Sequence, residues 1–200
     1  PINNKPIISH LIEKFDAKDS FVIGLGYKGN QVKNYLKNAH PERKFTFVNI
    51  KNHDGVGSGP GLSLLSCKKY LNEPFVFLPC DCNFLDKFEN MVDKNWMGVS
   101  KVPVSEMEQY SNVLVEKNKV IKIKDKIKCD QHYLTFTGLL FINDHEEFWS
   151  GLKNPALIKK EHQISNGLNQ LINKKELFAK KIKWQDMGTL KQFQELQKES

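Results

Sequence analysis

The fold is decided by the stretch Phe75-Val-Phe-Leu-Pro-Cys-Asp81. Its first four residues are all apolar, which is typical of a strand that is covered on both faces of a sheet. An aspartate follows directly after Pro79 and Cys80. Because ligands in open α/β sheets bind beyond the carboxyl ends of the strands, Asp81 is the first candidate for a functional residue.

Outward from this stretch, segments with the apolar spacing of strands alternate with segments that have the spacing of helices. The predicted strands cover residues 20–24, 45–50, 74–78, 97–102, 113–115, 120–123, 134–142 and 177–183. The predicted helices cover residues 5–15, 32–40, 62–71, 144–152, 164–172 and 190–197. This alternation predicts an α/β fold: a Rossmann-like mixed, mostly parallel sheet flanked by helices, with a small β-rich insertion. We expect a single domain over residues 1–200.

The composition predicts a globular protein with neither a membrane nor a nucleic-acid partner. No apolar run is long enough to cross a bilayer. The formal charge of +7 comes mainly from lysines that are spread along the chain as a solvated surface. The four cysteines lack the C-x-x-C spacing of zinc and redox sites, so we expect free thiols and a cytoplasmic location. Most of the six histidines are interpreted as surface residues, because no metal-ligand spacing connects them.

A second carboxylate, Asp186, lies in a predicted loop over residues 184–189, directly after the final strand. Two carboxylates from loops that are distant in sequence can converge on one hard cation such as Mg²⁺. The alternative is that Asp81 and Asp186 each cap a helix or a turn. The residue pattern leaves both interpretations open.

A glycine-rich loop that contains Gly57, Gly59 and Gly61 precedes the helix predicted over residues 62–71. Glycine lets the backbone approach a ligand closely, and a helix N-terminus offers free N–H groups. The loop is not a Walker loop, because no G-K-[ST] follows, and a flexible strand–helix turn is the alternative. Lys126, in a basic stretch, could hold a phosphate as a point charge or be an ordinary surface lysine.

Taken in order, several motifs resemble the sugar-phosphate nucleotidylyltransferase family, the pyrophosphorylases that make nucleotide-activated sugars. They are Asn4-Lys-Pro-Ile-Ile-Ser-His-Leu-Ile-Glu13, Gly26-Tyr-Lys-Gly-Asn-Gln-Val-Lys-Asn-Tyr35, Ser58-Gly-Pro-Gly-Leu-Ser-Leu-Leu65, the Phe75–Asp81 stretch, Thr137-Gly-Leu-Leu-Phe-Ile142 and Trp184-Gln-Asp-Met-Gly-Thr189. Each motif is weak alone, but their order and spacing cover nearly the whole chain.

The resemblance implies a set of roles. Asp81 and Asp186 would hold Mg²⁺, Lys126 would hold the acceptor phosphate, and Gly138 would lie against the acceptor group. The glycine loop, with Gly57, Gly59 and Gly61, would contact the nucleotide base. The implied reaction moves a nucleotidyl group from an NTP (CTP, UTP or dTTP) to a phosphorylated small molecule and releases pyrophosphate. A homo-oligomer is the candidate assembly of the protein.

Three departures from the family pattern change what we expect. The family's glycine-rich, arginine-containing signature loop on the first strand is absent, so we expect a longer native chain and, without that strand, a gap in the sheet. Cys80 replaces the usual glycine before the aspartate. Asp125-Lys126-Ile127 replaces the usual Glu-Lys-Pro, so the acceptor need not be an ordinary hexose 1-phosphate. Compact relatives also activate phosphocholine or phosphonates with CTP.

Two other functions are compatible with the sequence. The first is a GT-A glycosyltransferase, because Asp81-Cys82-Asn83 differs by one residue from the Asp-x-Asp metal motif of that class. The second is a non-catalytic, regulatory relative that keeps the fold. The missing signature loop favours this second alternative, whereas the retained Asp81 and Asp186 favour an enzyme.

Overall fold

The computed structural model describes residues 2–86, 88, 93–153, 156–190 and 192–194. The chain divides into two compact units, each described by itself below. Unit 1 comprises Pro1–Asp16, Val76–Phe141 and Phe178–Ser200, and unit 2 comprises Ala17–Phe75 and Ile142–Leu177. The single domain expected over residues 1–200 stays a prediction.

The helices are α1 (Ile7–Ile12), α2 (Gly29–Ala39), α3 (Pro60–Cys67), α4 (His145–Leu152) and α5 (Ser165–Lys174). Short 3-10 turns lie at Lys68–Tyr70 and Met107–Gln109. The strands are β1 (Ser20–Leu25), β2 (Lys44–Asn49), β3 (Phe75–Phe77), β4 (Cys82–Phe84), β5 (Trp96–Ser100), β6 (Ser111–Glu116), β7 (Lys119–Asp125), β8 (Leu134–Ile142), β9 (Leu157–Ile158), β10 (Glu161–His162), β11 (Phe178–Lys181) and β12 (Trp184–Asp186). These bounds agree with most predicted segments. The predicted closing helix over residues 190–197 lies partly outside the described residues.

Unit 2 begins with a β-α-β arrangement. Strands β1 and β2 pair in parallel, from Ser20 opposite Lys44 to Leu25 opposite Asn49. Helix α2 connects them, since parallel neighbours need a long crossover connection. The helices α4 and α5 of this unit bury Phe148, Leu152 and Leu171, so their apolar faces form part of its core.

Unit 1 is built on a six-stranded sheet with the order β3-β8-β5-β11-β7-β6, in which β6 also pairs with β8. Strands β5 and β11 are parallel, whereas β5–β8, β6–β7, β6–β8 and β7–β11 are antiparallel. The β6–β7 hairpin turns at Lys117 and Asn118, both in the left-handed region with φ of 47° and 66°. Such short turns allow only antiparallel pairing. Fewer strand pairs of this sheet are therefore parallel than the predicted mostly parallel sheet would have.

The strands of the described residues are distributed over four sheets, rather than the single mixed sheet that the alternation predicted. The β1–β2 pair, the β9–β10 hairpin and the β4–β12 pair are each separate two-stranded sheets. Among the described helices, none is long and apolar enough to cross a membrane.

The prediction of a loop over residues 184–189 was partly wrong, because Trp184–Asp186 is strand β12 and pairs with β4. Neither β4 nor β12, each three residues long, shows the alternation of apolar and polar residues that is typical of a strand. Their pairing therefore depends on hydrogen bonds between segments that are distant in sequence. An apolar cluster lies beside this pair and includes Phe84, Trp96, Leu139 and Ile182, with Trp184 packed against it. Burial of these side chains stabilises the short β4–β12 pair.

Candidate active site

The β4–β12 pair brings the two predicted carboxylates together in unit 1. Asp186 is the register partner of Cys82, the residue after Asp81. The N–H of Met187 donates to the carbonyl oxygen of Asp81 at 2.9 Å and extends the pairing by one step. Both side chains therefore emerge at the same end of the two-stranded sheet.

Gly188 lies between the two carboxylates. A Cβ atom built on this glycine would be 3.3 Å from Oδ1 of Asp186 and 3.7 Å from Oδ2 of Asp81. The two oxygens thus border one small space, which the missing side chain of Gly188 leaves open. The N–H of Gly188 also donates to Oδ1 of Asp186 at 3.0 Å.

Two residues that the sequence did not single out complete the surroundings of Asp186. The hydroxyl of Tyr110 donates to Oδ2 of Asp186 at 2.7 Å, and Nε2 of Gln192 donates to the same oxygen at 3.0 Å. Gln192 also donates to the Tyr110 hydroxyl oxygen at 3.2 Å. Tyr110 follows a 3-10 turn and Gln192 lies near the chain end, so neither position carries a sequence signal that could have found it.

Lys126 is joined to this group through its main chain. Its N–H donates to the carbonyl oxygen of Tyr110 at 2.9 Å, and its φ of 49° lies in the left-handed region. The predicted phosphate-binding lysine therefore belongs to the same unit as Asp81 and Asp186. Its side chain is half-buried.

Gly138 packs against the segment that carries Asp81. A Cβ at this position would lie 2.5 Å from Cγ of Pro79, and the φ of Gly138 is 88°. The close approach of β8 to Pro79, two residues before Asp81, therefore requires glycine. On this side Gly138 faces protein, and its predicted contact with the acceptor group stays a prediction.

A cleft of about 290 Å³ opens beside Asp186 and is lined by polar side chains, among them Lys101, Glu106, Tyr110 and Gln192. A larger cleft of about 490 Å³ in the same unit is lined by Asp86, Lys101, Lys183 and neighbouring apolar residues. The smaller cleft is the better candidate for a substrate subsite, because a metal-binding carboxylate would line it.

The electrostatics keep the neutral groups around Asp186 protonated. Burial raises the pKa of the Cys82 thiol well above its ordinary value, and the charges of Asp81 and Asp186 raise it further. Burial also raises the pKa of the Tyr110 hydroxyl, to which its hydrogen bond with Asp186 contributes. Tyr110 therefore keeps its proton and donates a hydrogen bond to Asp186, and Cys82 does not supply a thiolate.

In unit 2, the glycine loop is held by the β9–β10 hairpin. The N–H of Gly57 donates to the carbonyl oxygen of Lys160 at 2.8 Å, and the N–H of His162 donates to that of Ser58 at 2.7 Å. Ser58 also bonds back to the carbonyl oxygen of Gly55 at 2.6 Å. Main-chain hydrogen bonds therefore tie this loop to the hairpin, and its predicted contact with the nucleotide base stays a prediction.

The three glycines predicted to lie in the loop have different surroundings. Gly57 and Gly59 precede α3, but Gly61 was wrongly assigned to the loop, because the helix begins at Pro60. A Cβ on Gly61 would lie 2.7 Å from the carbonyl oxygen of His162, and one on Gly59 would lie 2.8 Å from the same atom. Gly57 has a φ of 84° and open space on its Cβ side. Gly59 and Gly61 are thus required by packing within the protein, while Gly57 faces open space.

His162 itself is buried, with 3% of its surface exposed, and so is His40. These two are the exceptions to the expectation that most histidines lie at the surface, since the other four are exposed or half-buried. The physical reason for His162 is its place in β10, where Gly61 lacks the side chain that would displace the ring.

The chain is similar to known proteins over nearly its whole length. The bifunctional protein GlmU of Methanocaldococcus jannaschii is 27% identical over 195 residues, or 94% of this chain. This similarity supports the resemblance to the sugar-phosphate nucleotidylyltransferases. It spans about half the length of the curated relatives it matches, 45% in the case of this GlmU. No family model matches the chain.

Solved structures confirm the fold of the chain. A UDP-glucose pyrophosphorylase in complex with UDP-glucose superimposes with a TM-score of 0.81, at 18% identity, over 100% of this chain and 88% of that one. A candidate glucose-1-phosphate thymidylyltransferase from Bacillus anthracis gives a TM-score of 0.79, at 20% identity, over 99% and 83%. The predicted Rossmann-like α/β class with a mixed sheet and flanking helices is therefore confirmed.

The chemistry of the candidate ligands Asp81 and Asp186 fits Mg²⁺. Among the described residues there is no cluster of three or more histidine, cysteine, aspartate or glutamate side chains that could hold a metal ion. Mg²⁺ does not need one, since it usually keeps several waters and is bound through one or two carboxylates plus substrate phosphates. Asp81 and Asp186, which border the space at Gly188, would supply such a pair.

Proposed function

We propose that the protein transfers a nucleotidyl group from an NTP to a phosphorylated acceptor and releases pyrophosphate, in a reaction that depends on Mg²⁺. The observation that carries this proposal is the convergence of Asp81 and Asp186 on the space at Gly188. Sequence similarity to GlmU over 94% of the chain supports it. The proposed acceptor is a sugar 1-phosphate or a small phosphate or phosphonate such as phosphocholine.

The proposed reaction is a direct displacement at phosphorus. An oxygen of the acceptor phosphate forms a bond to the α-phosphorus of the NTP, while the bond from that phosphorus to the bridging oxygen breaks. The electron pair of the broken bond leaves with pyrophosphate. The attacking oxygen is already an anion, so the step needs no strong general base, and alignment and charge neutralisation lower the barrier.

The proposed roles follow from the chemistry of each side chain. Asp81 and Asp186 would hold Mg²⁺, which when bound neutralises charge on phosphate oxygens. Lys126 would attract the acceptor phosphate as a point charge, with its main chain fixed by Tyr110. Gly138 would lie against the acceptor group.

The glycine loop of unit 2 is proposed to contact the nucleotide base. Gly57 is its best candidate for close approach, because its Cβ side faces open space. Gly59 and Gly61 would act through the conformation they give the loop, since their Cβ sides pack on the β9–β10 hairpin. CTP, UTP and dTTP are the proposed donors, and a cytoplasmic location fits the four free cysteines.

A glycosyltransferase is the less favoured proposal. Its metal motif would need the side chain of Asn83 next to that of Asp81, but Asn83 donates to Oε1 of Gln185 at 2.9 Å. Cys82, between them, is buried. This arrangement supports Asp186, rather than Asn83, as the partner of Asp81.

The proposal is tested by incubating the full chain and Mg²⁺ with each NTP and each class of acceptor: hexose 1-phosphates, phosphocholine and a simple phosphonate. We expect pyrophosphate release together with a nucleotidylated acceptor in the mass spectrum for at least one pair. A nucleotide sugar and an alcohol acceptor form the comparison reaction, because a glycosyltransferase releases a nucleoside diphosphate and no pyrophosphate.

A thermal-shift panel of NTPs with Mg²⁺ provides a second measurement. A ligand that binds only the folded state raises the melting temperature by mass action, so the preferred base should give the largest shift. No shift with any nucleotide and no pyrophosphate release with any acceptor would contradict the proposed function. A non-catalytic relative would show nucleotide-dependent shifts without turnover.

A further inference from the structure

The two carboxylate oxygens of Asp186 have different neighbours. Oδ2 accepts hydrogen bonds from the Tyr110 hydroxyl at 2.7 Å and from Nε2 of Gln192 at 3.0 Å. Oδ1 accepts the N–H of Gly188 and borders the open Cβ position of that glycine, which Oδ2 of Asp81 also borders. One oxygen is therefore held by side chains, and the other is turned toward the second carboxylate.

We propose that Tyr110 is a positioning residue for a divalent cation: its hydroxyl fixes Oδ2 of Asp186, so that Oδ1 faces Oδ2 of Asp81 as a single-oxygen ligand. The inference rests on the proposed function for the assignment of the two aspartates as ligands. Hydrogen bonds from outside the coordination shell orient ligating carboxylates and set their affinity for the metal. Tyr110 supplies such a bond with a rigid side chain.

The ring of Tyr110 is held by its environment. It packs edge-on against Trp184, with ring centroids 5.5 Å apart and planes at 78°. The main chain next to it is anchored by Asn112, a fully buried residue whose Nδ2 donates to the carbonyl oxygen of Met107 at 2.7 Å. Thr135, also buried, donates to Oδ1 of Asn112 at 3.0 Å. These contacts hold the ring and the neighbouring main chain of Tyr110 in place, so its hydroxyl is oriented toward Asp186.

A second contact of Tyr110 involves its main chain and does not depend on its hydroxyl. Its carbonyl oxygen accepts the N–H of Lys126, the proposed acceptor-phosphate residue, at 2.9 Å. Replacing Tyr110 by Phe removes the hydroxyl and keeps the ring, the Trp184 contact and this main-chain bond. The variant should therefore weaken cation binding and leave the circular dichroism spectrum of the protein unchanged. A general loosening of the fold would alter both.

The experiment measures Mn²⁺ binding to the full chain by the electron paramagnetic resonance signal of the free ion, without nucleotide. We expect Tyr110→Phe to bind Mn²⁺ about 10-fold more weakly than the unsubstituted chain, the usual cost of losing such a partner. Asp186→Ala should remove the site. Tyr133→Phe is the matched control, because Tyr133 packs with Met107 and Cys129 in a separate cluster and should leave the affinity unchanged.

Wild-type affinity in a folded Tyr110→Phe variant overturns the inference, and so does an unsubstituted chain that binds no Mn²⁺. If Tyr110→Phe does not fold by circular dichroism, Gln192→Ala takes its place, because it removes the other donor to the same oxygen. Unchanged affinity there also overturns the inference. Weaker Mn²⁺ binding in Tyr110→Phe with no nucleotidyl transfer by the unsubstituted chain supports the positioning role while the proposed function fails.

Discussion

Asp186 stands opposite Cys82 in the β4–β12 pair, so its carboxylate lies beside that of Asp81, although the two come from distant parts of the chain. The pair consists of two three-residue strands, extended by the bond from Met187 N–H to the Asp81 carbonyl. A candidate catalytic centre thus depends on a very short sheet. Its stability comes from the apolar cluster beside it, which includes Phe84 and Trp184.

Asp81→Asn and Asp186→Asn should each lower Mg²⁺-dependent pyrophosphate release by about 100-fold or more, and the Ala variants should abolish it. The Asn substitution keeps the shape of the side chain and removes the charge that a hard cation requires. Initial rates over a range of Mg²⁺ concentrations provide the measurement. Asp130→Asn is the matched control, because Asp130 is an exposed residue of the same unit that bonds to His132. Rates within a few-fold of wild type would remove the metal assignment.

Gly138→Ala should destabilise the protein by about 1–3 kcal/mol, because the new methyl group would overlap Pro79 and the left-handed backbone would be strained. Displacement of Pro79 should also shift Asp81 and raise the Mg²⁺ concentration needed for half-maximal rate. Urea unfolding and the Mg²⁺ titration measure the two effects. Gly24→Ala is the comparison, since its Cβ would meet ordinary contacts at 3.6 Å. Equal unfolding free energies for the two variants would argue against this account of Gly138.

Gly61→Ala and Gly57→Ala should behave differently, although both glycines belong to the same glycine-rich stretch: Gly57 precedes α3, and Gly61 lies in its first turn. Gly61→Ala would overlap the carbonyl oxygens of His162 and Gln163 at 2.7 and 2.8 Å, so we expect a loss of about 1–3 kcal/mol in unfolding free energy. In Gly57→Ala the new methyl group meets open space. Only the strain of the positive φ lowers the unfolding free energy, by about 1 kcal/mol. Urea denaturation followed by circular dichroism separates them. A Gly61→Ala variant as stable as wild type would contradict the packing role.

Stability should fall as the pH drops below the ordinary pKa of histidine, near 6.5, partly because of His162. Burial lowers the pKa of this side chain, so the unfolded chain takes up a proton that the folded chain does not. The stabilisation is therefore present above the unfolded pKa and is lost as the pH falls below it. Urea midpoints at pH 5 and pH 7 measure the difference. The His162→Asn variant lacks the titrating ring, so its urea midpoints at pH 5 and pH 7 should differ less than those of the wild type. An equal difference in the variant would show that His162 does not contribute to the pH dependence.

Much of the architecture is predictable from local pattern. The apolar runs at β1, β2 and β8 and the periodic helices α4 and α5 lie close to their predicted bounds. The β6–β7 hairpin also lies where the turn residues predicted it. These segments carry their signal in their own residues, because burial of one face or of both faces imposes a period or a continuous apolar run.

Asp81 and Asp186 could be selected from sequence because acidic residues after strands are chemically conspicuous. Tyr110 and Gln192 could not, since nothing in their local sequence distinguishes them from surface residues. Their importance comes from contacts with a residue far along the chain. The sequence alone therefore determined the α/β class and the strand that leads to Asp81, and it selected the two carboxylates as candidates. Only the tertiary structure decided that β4 pairs with β12, that Gly59 and Gly61 pack on the β9–β10 hairpin, and which oxygen of Asp186 is held. Pairing between short segments without a period depends on long-range hydrogen bonds and packing, which no local pattern records.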